Sequence, residues 1–179
     1  MPRPLSATLL LALLFAACGG HDYSGKVDVP KGYSSQRADG VSFVRPAGFR
    51  GQGLETAKGL KLTRYGDPAA KGRGAFVSVS TLPGAGARFD TLVSDSRSVI
   101  ASTNGKVKLH EVEVPGATRA YRSEIEAPKQ AGTPSAVHSQ QLQVLLRDGT
   151  YVSLTAGTTD DDDSVDVDAV LGSFRVEGA

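Results

Sequence analysis

The chain's single cysteine, Cys18, is the residue with the most distinctive chemistry in this sequence. It directly follows Ala16 and Ala17, which end the apolar run Leu9–Phe15. A thiol can act as a nucleophile, a metal ligand or half of a disulfide, but the chain has no second cysteine to pair with it. Its position at the end of an apolar block near the amino terminus indicates processing of the chain rather than burial in a core.

Residues 1–17 have the pattern of a secretion signal, with one basic residue, Arg3, ahead of the apolar run. That run is too short for a membrane-spanning helix, which needs about 20 apolar residues. With Cys18 next, the segment resembles a bacterial lipobox, although Phe15 stands where leucine is usual. We therefore predict a lipoprotein signal peptide over residues 1–17 and lipid attachment (diacylglyceryl, then acyl groups such as palmitate) at Cys18. The alternative is a plain secretion signal cut after Ala17, which would leave an exposed thiol.

Charge and length restrict the class of protein. Removal of residues 1–17 takes away one basic residue, so 19 basic and 19 acidic side chains remain. A chain without basic excess is a poor binder of nucleic acid, because it cannot displace counterions from phosphates. The remaining chain, about 160 residues, is typical of one domain with a proper core. We expect a monomer without disulfides, attached to the extracytoplasmic face of the cell membrane by its lipid.

The mature chain divides into two parts by composition. Residues 18–40 are rich in glycine, serine and charge and lack a sustained apolar period, which predicts a lipidated cysteine followed by a flexible tether. Residues 41–179 then form the predicted domain.

Alternating apolar and polar residues predict about seven strands in this domain. They are "VSFVRP" from Val41, "LKLTRY", "AFVSVS", "VKLHEVEV", "TRAYRSEIE", "VHSQQLQVLLR" and "TYVSLTA", and a final short strand "SFRVE" follows near the end. Asp148-Gly149 between two alternating runs predicts a hairpin.

Helical spacing occurs twice. Phe89, Leu92, Val93, Val99 and Ile100 form an apolar stripe that Asn104-Gly105 terminates, and we expect this stripe to pack on an apolar surface. A second stripe contains Val167, Val170, Leu171 and Phe174. The pattern favours an α+β fold, with a mostly antiparallel β-sheet covered by helices.

The opening "VSFVRPAGF" and the closing "DAVLGSFRVE" resemble the ends of the PsbP-like or Mog-like domain found in actinobacterial lipoproteins of the LpqN type. In that resemblance Pro46 and Gly48 make the first turn, Phe49 occupies a position often held by tryptophan, and Phe174 anchors the last strand. It implies an α/β/α sandwich over about residues 41–177. It also implies a non-enzymatic binding or accessory role at the cell envelope, in some members in lipid transport or assembly.

Several other motifs with possible chemistry are better explained by structural roles. Asp160–Asp163, Asp166 and Asp168 lack the glycine and distal glutamate of a calcium loop, and they precede a helix that carboxylates can cap. "GHDYSGKV" at residues 20–27 lacks the serine or threonine of a phosphate loop. "GQGLET" and "GAGARF" lack the third glycine of a dinucleotide loop and are interpreted as turns. His21, His110 and His138 have no metal-ligand spacing, and the two later histidines are expected on solvated strand faces.

These patterns predict a non-catalytic binding or adaptor module without a cofactor or metal, whose partner is an envelope protein or a lipid-like ligand. No nucleophile has a visible activating partner. Two alternatives stay open: a small envelope hydrolase assembled from distant residues, and a passive structural surface lipoprotein.

Overall fold

The computed structural model describes residues 22–55, 59–70, 74–129 and 137–179, with the side chains of residues 54 and 55 excepted. The elements that define the fold are β1 Tyr33–Ala38, β2 Val41–Pro46, β3 Arg50–Glu55, β4 Lys61–Gly66, β5 Phe76–Leu82, α1 Phe89–Ser102, β6 Lys106–Glu111, β7 Ala117–Ala127, β8 Val137–Leu146, β9 Tyr151–Thr159, α2 Val167–Gly172 and β10 Arg175–Val176. Within these ranges no helix is both long and apolar enough to cross a membrane.

Two antiparallel sheets organise the domain. The large sheet has the strand order β3-β4-β5-β9-β8-β7-β6, and the small sheet has the order β1-β2-β10. The small sheet and α2 lie together on one face of the large sheet, and α1 lies on the other face. The prediction of a mostly antiparallel α+β fold is therefore confirmed. An α/β/α sandwich would have helices on both faces of the sheet, whereas here one of the two outer layers consists of the small sheet and a helix of only six residues.

An apolar core fills the space between the large sheet and the layer of the small sheet and α2. Leu142 and Leu154 are cross-strand partners at its centre, and both are 0% exposed. Phe43 from β2 and Phe174 from the chain end close this core from the other side. The Ser173 hydroxyl also accepts a hydrogen bond from the Val44 N–H at 2.8 Å, which fixes the end of α2 to the small sheet.

The amino-terminal boundary differs from the prediction. Residues 33–38, expected in the flexible tether 18–40, form β1 and pair with β2 along its whole length. Tyr23 is only 4% exposed and belongs to the apolar core, and the Tyr33 hydroxyl accepts a hydrogen bond from the Asp166 N–H at 2.7 Å. The ordered domain therefore begins well before Val41. The tether prediction was wrong for Tyr23 and for residues 33–38. Tyr23 and Tyr33 are too far apart in the sequence to form an apolar period, and each packs separately against the domain.

Sequence patterns located most of the other elements. The helix predicted from Phe89 is α1, and Asn104 ends it with a positive φ of 58°. The hairpin at Asp148-Gly149 is present, since the Gly149 N–H donates to the Leu146 carbonyl. "GQGLET" was wrongly interpreted as a turn: its first five residues belong to the edge strand β3. Glycine is needed there at position 51, because a Cβ would lie 2.7 Å from the Tyr65 ring.

Candidate functional site

The first two turns of α1 pack on the outer face of the large sheet. Phe89 is 1% exposed and lies against Tyr121 and Tyr151, with ring centroids 5.9 Å and 6.1 Å away. Val93 and Leu145 belong to the same small apolar cluster, together with Leu82 and Ala85. The expectation that α1 packs on an apolar surface is thus correct for its first half.

Further along α1 the sheet surface beneath it is polar. Ser96, Gln141, Ser153, Tyr151 and Gln143 form a chain of hydrogen-bonded side chains between helix and sheet, which we call the polar seam. The Ser96 hydroxyl donates to Gln141 Oε1 at 3.2 Å, and Gln141 Nε2 donates to the Ser153 hydroxyl at 2.8 Å. Ser153 and Gln143 both bond the Tyr151 hydroxyl, the latter through Nε2 at 2.9 Å. The expectation of an apolar surface is therefore wrong for this half of the helix.

The polar seam ends in an acceptor without a donor. Gln143 is 0% exposed, and its Oε1 has no hydrogen-bond partner among the described residues. A buried acceptor of this kind costs about 1–3 kcal/mol relative to a satisfied one, so natural proteins rarely keep it without a reason. Burial also raises the pKa of Tyr151, so its hydroxyl stays protonated at neutral pH and acts only as a hydrogen-bonding group.

The second half of α1 is held less tightly than the first. Its buried residues, Phe89 and Val93, are both in the first half, and Val99 is 65% exposed. An open hollow of about 400 Å³ lies between α1 and the start of β6, with Ser94, Ser98 and Ala101 on the helix side. Few buried apolar contacts make a segment prone to local opening, and Ser96 of the polar seam lies in this half of the helix.

A larger open hollow of about 580 Å³ lies at the link between β6 and β7. Its rim carries both signs of charge, with Glu111, Glu113, Arg119 and Arg147. The Arg119 guanidinium donates to Asp90 at 2.9 Å. Since the rim mixes charges and none of its side chains is among the buried polar groups left without a partner, we assign the polar seam rather than this hollow as the candidate site.

Other residues singled out from the sequence lie elsewhere. Cys18 and His21 are outside the described residues. His110 in β6 and His138 in β8 are exposed, as predicted, and His138 Nε2 lies 3.3 Å from an Asp160 carboxylate oxygen. The described ranges contain no group of three histidine, cysteine or acidic side chains arranged to hold a metal ion.

The aspartate run stabilises turns. Asp166 caps α2 by accepting a hydrogen bond from the Ala169 N–H at 2.9 Å, and Asp168 is in the first turn, as predicted for carboxylates before a helix. Asp162 instead belongs to a turn that closes on Thr159, and its carboxylate accepts from the Ala75 N–H at 2.8 Å. Hydrogen bonds from Ser164, with that from Ala75, lower the Asp162 pKa.

The comparisons with known proteins identify the fold. No family model and no curated protein matches the chain. The structure of cyanobacterial PsbP (CyanoP) from Synechocystis sp. PCC 6803 is similar, with a TM-score of 0.57 and 18% sequence identity. The similarity covers 89% of this chain and 98% of that one. The chain has a PsbP-like fold. At this identity the likeness concerns the fold alone.

Sequence reasoning missed the polar seam, although a signal for it was present. In "HSQQLQVLL" the residues Gln141 and Gln143 alternate with Leu142 and Val144, and a strand places them on opposite faces. The polar face is usually the solvated one. Only the packing of α1 across that face shows that these glutamines are covered.

Proposed function

We propose that this chain is a bacterial envelope lipoprotein of the LpqN type, anchored at the extracytoplasmic face of the cell membrane through acyl groups on Cys18. The support for the anchor is the sequence of residues 1–18, with its apolar run, two alanines and cysteine. One acyl chain gives only marginal membrane binding, whereas two or more give stable anchoring, which the diacylglyceryl group supplies.

The proposed activity is binding without catalysis, in an adaptor role such as envelope lipid transport or assembly. The observation that carries it is the unpaired Gln143 Oε1 at the end of the polar seam. A partner that places an N–H or O–H donor there would satisfy the buried acceptor. The free energy that the unpaired acceptor costs would then contribute to the affinity for that partner.

The composition of the seam favours recognition over hydrolysis. Its five members are hydroxyls and amides, with no carboxylate or imidazole that could transfer a proton at neutral pH. The seam is polar and offers hydroxyl and amide groups rather than an apolar lining, so we favour an envelope protein over a lipid-like ligand as the partner.

Site-specific photo-crosslinking in the native host tests this function. A photoreactive residue at Arg97, exposed beside Ser96 on α1, is compared with one at Ser35, exposed on β1 of the opposite layer. We expect a discrete adduct from position 97 that falls at least several-fold in a Gln143→Leu background, and none from position 35. Equal adducts from both positions, or an adduct that Gln143→Leu leaves unchanged, would contradict binding at the polar seam.

A further inference from the structure

The buried position of Tyr23 limits how far the domain can move from its proposed anchor. Tyr23 is 4% exposed inside the apolar core, where burial raises its pKa to about 12. Only four residues, Gly19 to Asp22, separate it from Cys18. A fully extended chain spans at most about 3.6 Å per residue, so the Cα atoms of Cys18 and Tyr23 can be no more than about 18 Å apart.

Tyr23 belongs to one side of the large sheet. It lies in the core that the small sheet and α2 cover, close enough to Arg175 and Asp168 for their charges to act on its hydroxyl. The helix α1 with the polar seam lies on the other side. The chain that leads from Cys18 to Tyr23, which we call the Cys18 connection, therefore joins the domain on the side of the large sheet that carries α2.

The dimensions of the large sheet decide which layer can face the bilayer. Seven strands about 4.8 Å apart make it about 29 Å wide, and layers stack about 10 Å apart. To bring α1 against lipid, the connection would have to pass round an edge of the sheet. Asp168, which acts on Tyr23, bonds Arg122 on β7 beside the edge strand β6, so that path adds one or two strand spacings, about 5–10 Å, to roughly 15 Å of depth. The sum exceeds a reach of about 18 Å.

We infer that the acylated protein stands on the bilayer with the face formed by the small sheet and α2 toward the headgroups, and presents α1 and the polar seam away from the membrane. This orientation rests on the proposed acylation of Cys18. This face carries both signs of charge, with Asp166 and Asp168 at the start of α2 and Arg37 and Arg175 in the small sheet, so the short connection, and not charge attraction, sets the orientation. Protein without acyl groups should accordingly not bind anionic vesicles.

Energy transfer to labelled lipid headgroups measures this orientation. Full-length acylated protein is purified from membranes with one added cysteine, Ser35→Cys on β1 or Val99→Cys on α1, and labelled with a donor dye. Cys18 does not react, because its sulfur carries the diacylglyceryl group. After reconstitution into phosphatidylethanolamine and phosphatidylglycerol vesicles, we expect the dye at position 99 to lie about 20 Å farther from the headgroups than the dye at position 35.

A linker variant serves as the matched control. Inserting 20 glycine and serine residues between Gly20 and His21 gives a root-mean-square reach of about 27 Å and should abolish the height difference without touching the fold. Equal heights in the protein of native length would overturn the orientation, and so would a height difference that survives the insertion. Mass spectrometry of the same samples scores acylation separately, so loss of the anchor would count against the proposed function instead.

Discussion

Replacing Gln143 with leucine should stabilise the protein, although it removes a hydrogen bond from a fully buried residue. The substitution deletes the Nε2 bond to the Tyr151 hydroxyl, worth about 1 kcal/mol net. It also deletes the unpaired Oε1, whose burial costs about 1–3 kcal/mol. The Tyr151 hydroxyl keeps Ser153 as a hydrogen-bond partner, so no new unpaired group is created.

The expected balance is a gain of about 1 kcal/mol in the free energy of unfolding. For a domain of this size that corresponds to a rise of about 2–4 °C in Tm. Urea unfolding followed by circular dichroism, with an unchanged slope against denaturant, would measure the gain directly.

The neighbouring residue provides the matched control. Leu142 is equally buried but points into the apolar core, so Leu142→Ala should lose about 2–5 kcal/mol. A loss of more than about 2 kcal/mol for Gln143→Leu would refute the reasoning, because it would mean that Oε1 has a strong partner inside the folded protein.

Three further predictions concern other parts of the fold. Tyr23→Ala should lower the free energy of unfolding by about 3 kcal/mol in thermal or denaturant melts, since it empties part of the apolar core; a change below 1 kcal/mol would mean that the segment is not packed. Gly157→Ala should cost about 1–3 kcal/mol, because its Cβ would lie 2.7 Å from an aromatic ring, whereas Gly48→Ala, with open space around it, should be nearly neutral. Asp162 has a lowered pKa through hydrogen bonds led by that from Ser164, so its contribution is present above the ordinary carboxyl value of 3.8 and lost as the pH falls through the lowered value. Asp162→Asn should therefore be less stable than the wild type at pH 7 and closer to it at pH 2, and a constant difference across that range would contradict the assignment.

The elements with a clean period could be predicted from the sequence. Val152, Leu154 and Ala156 alternate with polar neighbours, and they form the core side of β9. The stripe from Phe89 is likewise α1, because apolar residues at helical spacing need a common surface to bury. The PsbP-like fold suggested by the two ends of the domain is confirmed by the structural comparison.

The remaining features depend on contacts between distant parts of the chain. No local pattern indicates that Tyr23 enters a core built mainly from strands far along the sequence. In β3 the glycines obscure the strand period, although the Tyr65 ring requires one of them. The candidate site depends on a helix that covers Gln141 and Gln143, and the polarity of those residues alone predicts a solvated face.

Intact-protein mass spectrometry combined with crosslinking tests the central claim most directly. From membrane-extracted protein we predict a single species that begins at Cys18, carries diacylglyceryl and acyl groups, and forms an adduct through position 97 that depends on Gln143. An unmodified thiol on protein that is released from cells without detergent, together with no such adduct, would contradict the account of an anchored binding module.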